Sequence, residues 1–186
     1  MAGKDDGVPS GRGSGSVPAN GVASKLAAGD TRPMDGNASP TPGQRIAAEC
    51  AGRGNGAVVA DCVAVLAGRA DEVDSRLITV LGGEPARHVL GGGAGGRSGY
   101  WPRVWAARGL LHAWDDRAAE AGPATAALIE AMGDGDWRVR EMAAKVVARH
   151  RVGEALDAVA ALRDDPVPRV RAAAARAVVV LTASRA

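Results

Sequence analysis

Phenylalanine is absent from this 186-residue chain, and there is a single tyrosine, Tyr100. A core built around aromatic rings is therefore excluded, although hydrophobic residues make up 46% of the sequence. The core must be assembled from Ala, Val and Leu, whose small volumes let helices approach closely. Cysteine is scarce as well: Cys50 and Cys62 are one pair, which makes neither a disulfide framework nor a zinc site. They read as small buried hydrophobes in neighbouring helices. Charge of one sign is not in excess, and a formal net charge of +2 implies by itself neither nucleic acid nor an anionic membrane as partner. No basic start leads into an apolar run of signal-peptide length, and no apolar stretch approaches the roughly 20 residues that span a bilayer. A cytoplasmic location away from membranes is the expectation.

Residues 1–42 are rich in Gly, Ser, Pro and Asp and have no sustained apolar period. Such a segment cannot bury enough surface to offset its ordering entropy, which predicts a disordered tail followed by a helical domain over 43–186. Within that domain, 56–68 and 72–82 read as short helices and Glu84–Gly92 as a third, stopped at Gly91. The glycine stretch Gly91–Ser98 (GGGAGGRS) differs from a phosphate-binding loop only by Arg97 in place of Lys. That loop needs a strand before it, whereas the preceding residues read as helix, so the stretch is taken as a flexible junction.

Beyond the junction the chain becomes periodic. The dipeptides Arg103-Val104, Arg138-Val139 and Arg169-Val170 each open an apolar helical pattern, at separations typical of stacked helical hairpins. In the last two units Asp134 aligns with Asp165, Arg140 with Arg171, and Ala143 with Ala174. Amphipathic segments at 123–132 and 153–162 precede them, so each unit is helix, Asp-containing turn, helix. The aspartates can accept hydrogen bonds from unpaired N–H groups at the next helix start, and Pro166 and Pro168 are tolerated where no such partner is needed.

With these residues in place, Asp136-Trp137-Arg138-Val139-Arg140 and Asp164-Asp165-Pro166 with Arg169-Val170-Arg171 resemble HEAT repeats of the bacterial PBS-lyase HEAT-like type. The resemblance covers about 99–183. It implies an all-α fold, a short α-solenoid or superhelix of roughly four to five antiparallel helix pairs. It also implies a ladder linking successive turns, falling here on Asp136, Arg140, Asp165 and Arg171. Val167 stands where the equivalent of Asp136 belongs, so the last rung must use Asp164 or Asp165. Hydroxylase relatives depend on His-Glu dipeptides, but His88 is followed by Val, His112 by Ala and His150 by Arg. No catalytic, cofactor or metal set is read from the sequence.

Trp101 and Trp105 are four apart on one helix face, and Arg108 lies on a face otherwise apolar. Arg138, Lys145 and Arg149, with Arg169 and Arg176, form the best basic set, although Glu141 stands one turn before Lys145. The reading is a non-enzymatic protein-interaction scaffold. Trp101, Trp105, Trp137, Arg138, Lys145, Arg149, Arg169 and Arg176 are its candidate contacts with another protein or an acidic segment. Nucleic-acid binding is the second reading, and a lyase or oxidoreductase-type subunit rests on resemblance alone.

Overall fold

A computed structural model describes residues 39–115 and 121–183. Most of the expected tail lies outside these residues, as does the connection at 116–120. The first helix begins one residue inside the segment read as tail. Thr41 caps it: the hydroxyl accepts from Gln44 N–H while the Gln44 side chain accepts from Thr41 N–H. The described residues form nine α-helices: α1 Pro42–Arg53, α2 Asn55–Leu66, α3 Ser75–Gly82, α4 Pro85–Leu90, α5 Tyr100–Ala113, α6 Ala121–Ala131, α7 Trp137–His150, α8 Leu156–Ala161 and α9 Pro168–Ala183. No strand occurs among them.

The helices stack in two layers. In one, α5, α7 and α9 pack successively side by side; in the other, α2 lies against α5, α6 against α7 and α8 against α9. The long helices thus have local partners in the last two repeats and a distant one in the first. The cross-layer partner of α5 is α2, with α3, α4 and the glycine stretch intervening in sequence. Helices α1 and α3 pack on α5 and on each other. The expected aliphatic core is present, with Leu77, Ile78, Leu81, Leu110, Leu128, Val139, Val146 and Val159 almost fully buried. Cys62 is buried and Cys50 half-buried on adjoining helices, both as free thiols. Close approach requires missing side chains. A Cβ on Gly109 would lie 2.5 Å from Cys62 Sγ and 2.9 Å from Leu81 Cδ2, and one on Gly82 would lie 2.6 Å from the Trp105 ring.

A chain of arginine forks joins the repeats. Arg140 Nε and Nη2 clasp the Asp165 carboxylate at 2.7 and 3.1 Å, while its Nη1 donates to the Asp134 and Gly135 carbonyls. Arg103 does the same one repeat earlier: Nε and Nη2 hold Asp134 at 2.6 and 3.3 Å, and Nη1 reaches the Ser98 and Gly99 carbonyls. Each aspartate is also fixed to its own turn, Asp134 by Asp136 N–H and Asp165 by Val167 N–H, both at 2.8 Å.

Two expectations change. The ladder acid is Asp134, not Asp136, which instead caps α7 by accepting from Arg138 N–H at 2.8 Å. The last rung uses Asp165. The first repeat is also out of register with the dipeptide alignment, because Arg103 corresponds to Arg140 and not to Arg138. The spacing is 37 residues from Arg103 to Arg140 and 31 from Arg140 to Arg171. Burial supports this register, since Pro102, Val104, Ala106, Ala107, Gly109 and Leu110 fall on Val139, Glu141, Ala143, Ala144, Val146 and Val147, all buried.

The glycine stretch is pinned rather than loose. A short helix, α4, precedes it, and Ala94, Gly95 and Gly96 take left-handed or related positive-φ conformations. Arg97 is spent on structure, donating to the Ala70 and Val73 carbonyls and facing Asp71. This arrangement has neither the strand nor the available cation that a phosphate loop needs.

Two outcomes test this packing. Gly109→Ala gains about 1 kcal/mol in helix propensity but must displace Cys62 or Leu81, an overpacking cost of about 1–3 kcal/mol or more. Urea titration should therefore show net destabilisation. Asp165→Asn leaves the Arg140 fork buried without its charge, which should cost about 3–5 kcal/mol at neutral pH. The Arg140 hydrogen bond is the main cause holding the Asp165 carboxyl below its ordinary 3.8. Its contribution is fully present above 3.8 and fades as pH falls through the lower folded-state value. The stability gap between wild type and Asp165→Asn should stay level down to about pH 4 and close only below it.

Candidate partner-binding groove

The corrected register places chemistry in rows across the stack. The second residues of the three long helices are Trp101, Arg138 and Arg169; seven residues further on stand Arg108, Lys145 and Arg176. The first row is an aromatic–cation assembly. The Arg138 guanidinium lies 5.2 Å from the Tyr100 ring centroid, 5.8 Å from Trp101 and 4.4 Å from Trp137, and Arg169 lies 5.3 Å from Trp137. Trp101 in turn stacks on Trp105 with centroids 6.0 Å apart. Such contacts contribute roughly 0.5–1 kcal/mol each when exposed. Together they hold flat side chains upright beside a cavity.

That cavity, about 290 Å³, runs between α5 and α7 to Arg169 and is lined by Trp101, Arg108, Trp137, Arg138, Met142 and Lys145, with Glu141. Glu141 moderates its charge. The carboxylate is buried and serves two cations, Lys145 Nζ at 2.9 Å and Arg169 Nε at 3.4 Å. Arg138 faces Asp136 at 3.6 Å. Arg108 is different: it makes no hydrogen bond or ion pair among the described residues, and burial, with Arg45 nearby, pushes its guanidinium below the usual arginine range. On its other side lies a more apolar cavity of about 350 Å³, lined by Gly82, Pro85, His88, Val89, Trp101 and Trp105. The Arg108 guanidinium thus lies between a cavity of mixed charged and aromatic lining and a more apolar one.

The structure gathers part of the predicted set. Trp101, Trp137, Arg138, Lys145 and Arg169 come together, and the anticipated Glu141–Lys145 pair forms. Trp105 is only 3% exposed, a wall beneath Gly82 rather than a free aromatic. Arg149 lines a separate cavity with Asn55, Trp114 and His150. Arg176 lies on an apolar groove with Ala175, Val179 and Val180. Arg108, visible in sequence as a charge on an apolar face, lines the same cavity although the candidate set omitted it. The histidines are dispersed: His88 edges the apolar cavity, His112 sits against Gly43, and His150 stacks on Trp114 at 5.5 Å.

Helical pairs stacked in two layers, joined turn to turn by repeated arginine–aspartate rungs, define a short α-solenoid. Residues 100–179 match the family described as HEAT repeats. Repeats of this family commonly mediate protein–protein interaction. No curated protein and no solved structure matches the chain. No described helix is long and apolar enough to cross a membrane.

The two neighbouring tryptophans should behave differently. Trp105→Ala empties a buried site and should cost about 3–5 kcal/mol in denaturant unfolding. Trp101→Ala, at a half-buried position, should cost well under that.

Proposed function

We propose that this protein is a non-enzymatic interaction module whose groove across α5, α7 and α9 binds an acidic segment of another protein. The observation that carries the reading is Arg108, half-buried beside Trp101 without a counter-charge among the described residues. A carboxylate entering the groove would gain a charge-assisted hydrogen bond at a donor whose desolvation has already been met by folding. An apolar or aromatic residue next to it in the partner would lie against Trp101 or enter the cavity under Trp105. Arg138, Lys145 and Arg169 supply longer-range attraction and orientation, partly offset by Asp136 and Glu141. The rigid backbone of stacked helices presents these groups at little ordering cost.

The test is affinity purification from the native host with mass spectrometry, repeated with the double variant Arg138→Glu/Lys145→Glu. A protein partner with an acidic contact segment should be retained by wild type. The variant should lose at least tenfold in affinity, with its helical circular dichroism unchanged. Retention indifferent to the reversal, or salt-sensitive retardation of DNA or RNA by the wild-type chain in place of protein binding, would overturn the proposal.

A further inference from the structure

The more apolar cavity beside Arg108 has fixed walls. On α5, Trp101, Trp105 and Arg108 stand at i, i+4 and i+7, one helix face, and all three line it. From α4, His88 and Val89 border the same space. His88 is accommodated by the glycine stretch, because a Cβ on Gly93 would overlap its ring. Ala94 also lines the cavity, with φ 51°, a left-handed conformation that a residue with a side chain keeps only where its surroundings impose it. Arg97 supplies that constraint by tying the stretch to the Ala70 and Val73 carbonyls.

The lining holds two side chains that carry or accept positive charge, His88 and Arg108, and no carboxylate. Arg108 is half-buried without a hydrogen bond or ion pair among the described residues, and the charge acting on it is that of Arg45, of like sign. Glu141 lines the neighbouring cavity, but its carboxylate is engaged by Lys145 and Arg169. A guanidinium partly removed from water without a counter-ion has donors that one carboxylate would satisfy. The space beside it is small. A volume of about 350 Å³ is that of a cube of about 7 Å edge, narrower than a helix with its side chains at about 10 Å.

The geometry points to one occupant, the carboxy-terminal residue of a partner polypeptide, with its α-carboxylate on Arg108 and its apolar side chain in the cavity walled by Trp105 and Val89. This rests on the groove reading above, because Trp101 and Arg108 line both cavities and the partner's preceding residues continue into the groove. An internal acidic segment fits less well. Successive side chains of an extended chain point to opposite sides, so an acidic residue and its apolar neighbour do not both enter one cavity. A segment passing through would also bury peptide groups on both flanks of its anchor against a largely apolar lining. A terminal residue carries charge and side chain on one Cα, and with a reference pKa of about 3.3–3.7 its carboxyl is ionised at neutral pH.

Two probes are titrated with the full chain: N-acetyl-leucine, followed by tryptophan fluorescence, and a fluorescein-labelled octapeptide of glycine and glutamate ending in leucine with a free carboxylate, followed by anisotropy. The octapeptide should bind saturably and more tightly than N-acetyl-leucine. Amidation of its terminus, or extension by Gly-Ser-Gly beyond the leucine, should each lower affinity at least tenfold, although extension leaves the net charge unchanged. Arg108→Gln should do the same, as should Ala94→Asp, which sets a carboxylate into the cavity. Circular dichroism should be unchanged in both, and Arg108→Gln should melt no lower than wild type because no counter-ion is left behind. Binding indifferent to amidation and extension overturns the inference, as does the absence of saturable binding or a large drop in the melting temperature of Arg108→Gln. N-acetyl-leucine binding as tightly as the octapeptide also overturns it, by assigning the cavity to a small free acid. The groove reading fails separately: octapeptide binding that needs the free terminus but is unchanged by Arg138→Glu/Lys145→Glu counts against the groove alone, and the reverse pattern counts against the terminal site alone.

Discussion

The stack depends on a planar guanidinium used on both edges. In Arg140 one edge donates to carbonyls of its own preceding turn, and the other clasps the carboxylate of the next, with both side chains largely shielded from water. Breaking either half would leave buried polar groups without partners, so the fork fixes two turns at once. A lysine could not do this, because a single ammonium has no flat, two-edged array of donors. Everything downstream follows from that geometry: the register of the long helices, the rows of side chains across them, and the face on which Trp101 and Arg138 meet.

Much of this was legible in the residues. The apolar period of α7 and α9 and the proline-tolerant turn before α9 follow from short-range rules of helix capping and repeat spacing, whereas a ladder through Arg140, with Asp164 or Asp165 in its last rung, was implied only by the resemblance. What escaped was decided by distant contacts. Asp134 and Asp136 both sit in one turn, and nothing local says which will face Arg103 and which will cap. The dipeptide Arg103-Val104 imitates Arg138-Val139 closely enough to suggest a false register, which only the carbonyls of Ser98 and Gly99 and the burial of Pro102 and Gly109 correct. Trp105 looked equivalent to Trp101 because both share a helix face, but the absent side chain of Gly82 makes room for one ring and not the other.

The arginines of this fold stand in different states. Arg97, Arg103 and Arg140 are committed to backbone carbonyls and aspartates, and they contribute to architecture. Arg138 is held mainly by aromatic faces, Lys145 and Arg169 share one buried carboxylate, and Arg108 has none among the described residues. Composition cannot distinguish these states, since a sequence counts an arginine in a rung and one without a counter-ion alike. The modest net charge of the chain therefore conceals a local surplus at α5 and α7.

The pairing of α5 with α2 has a kinetic consequence. In the last two repeats each long helix meets the short helix just before it, so those contacts close over short loops and can form early. Helix α5 must instead wait for a segment more than thirty residues upstream, past α3, α4 and the pinned glycine stretch. Order would then grow from the carboxyl-terminal hairpins towards the amino-terminal half. The groove whose aromatic wall is α5 would be completed only when the chain has folded across the long stretch between α2 and α5.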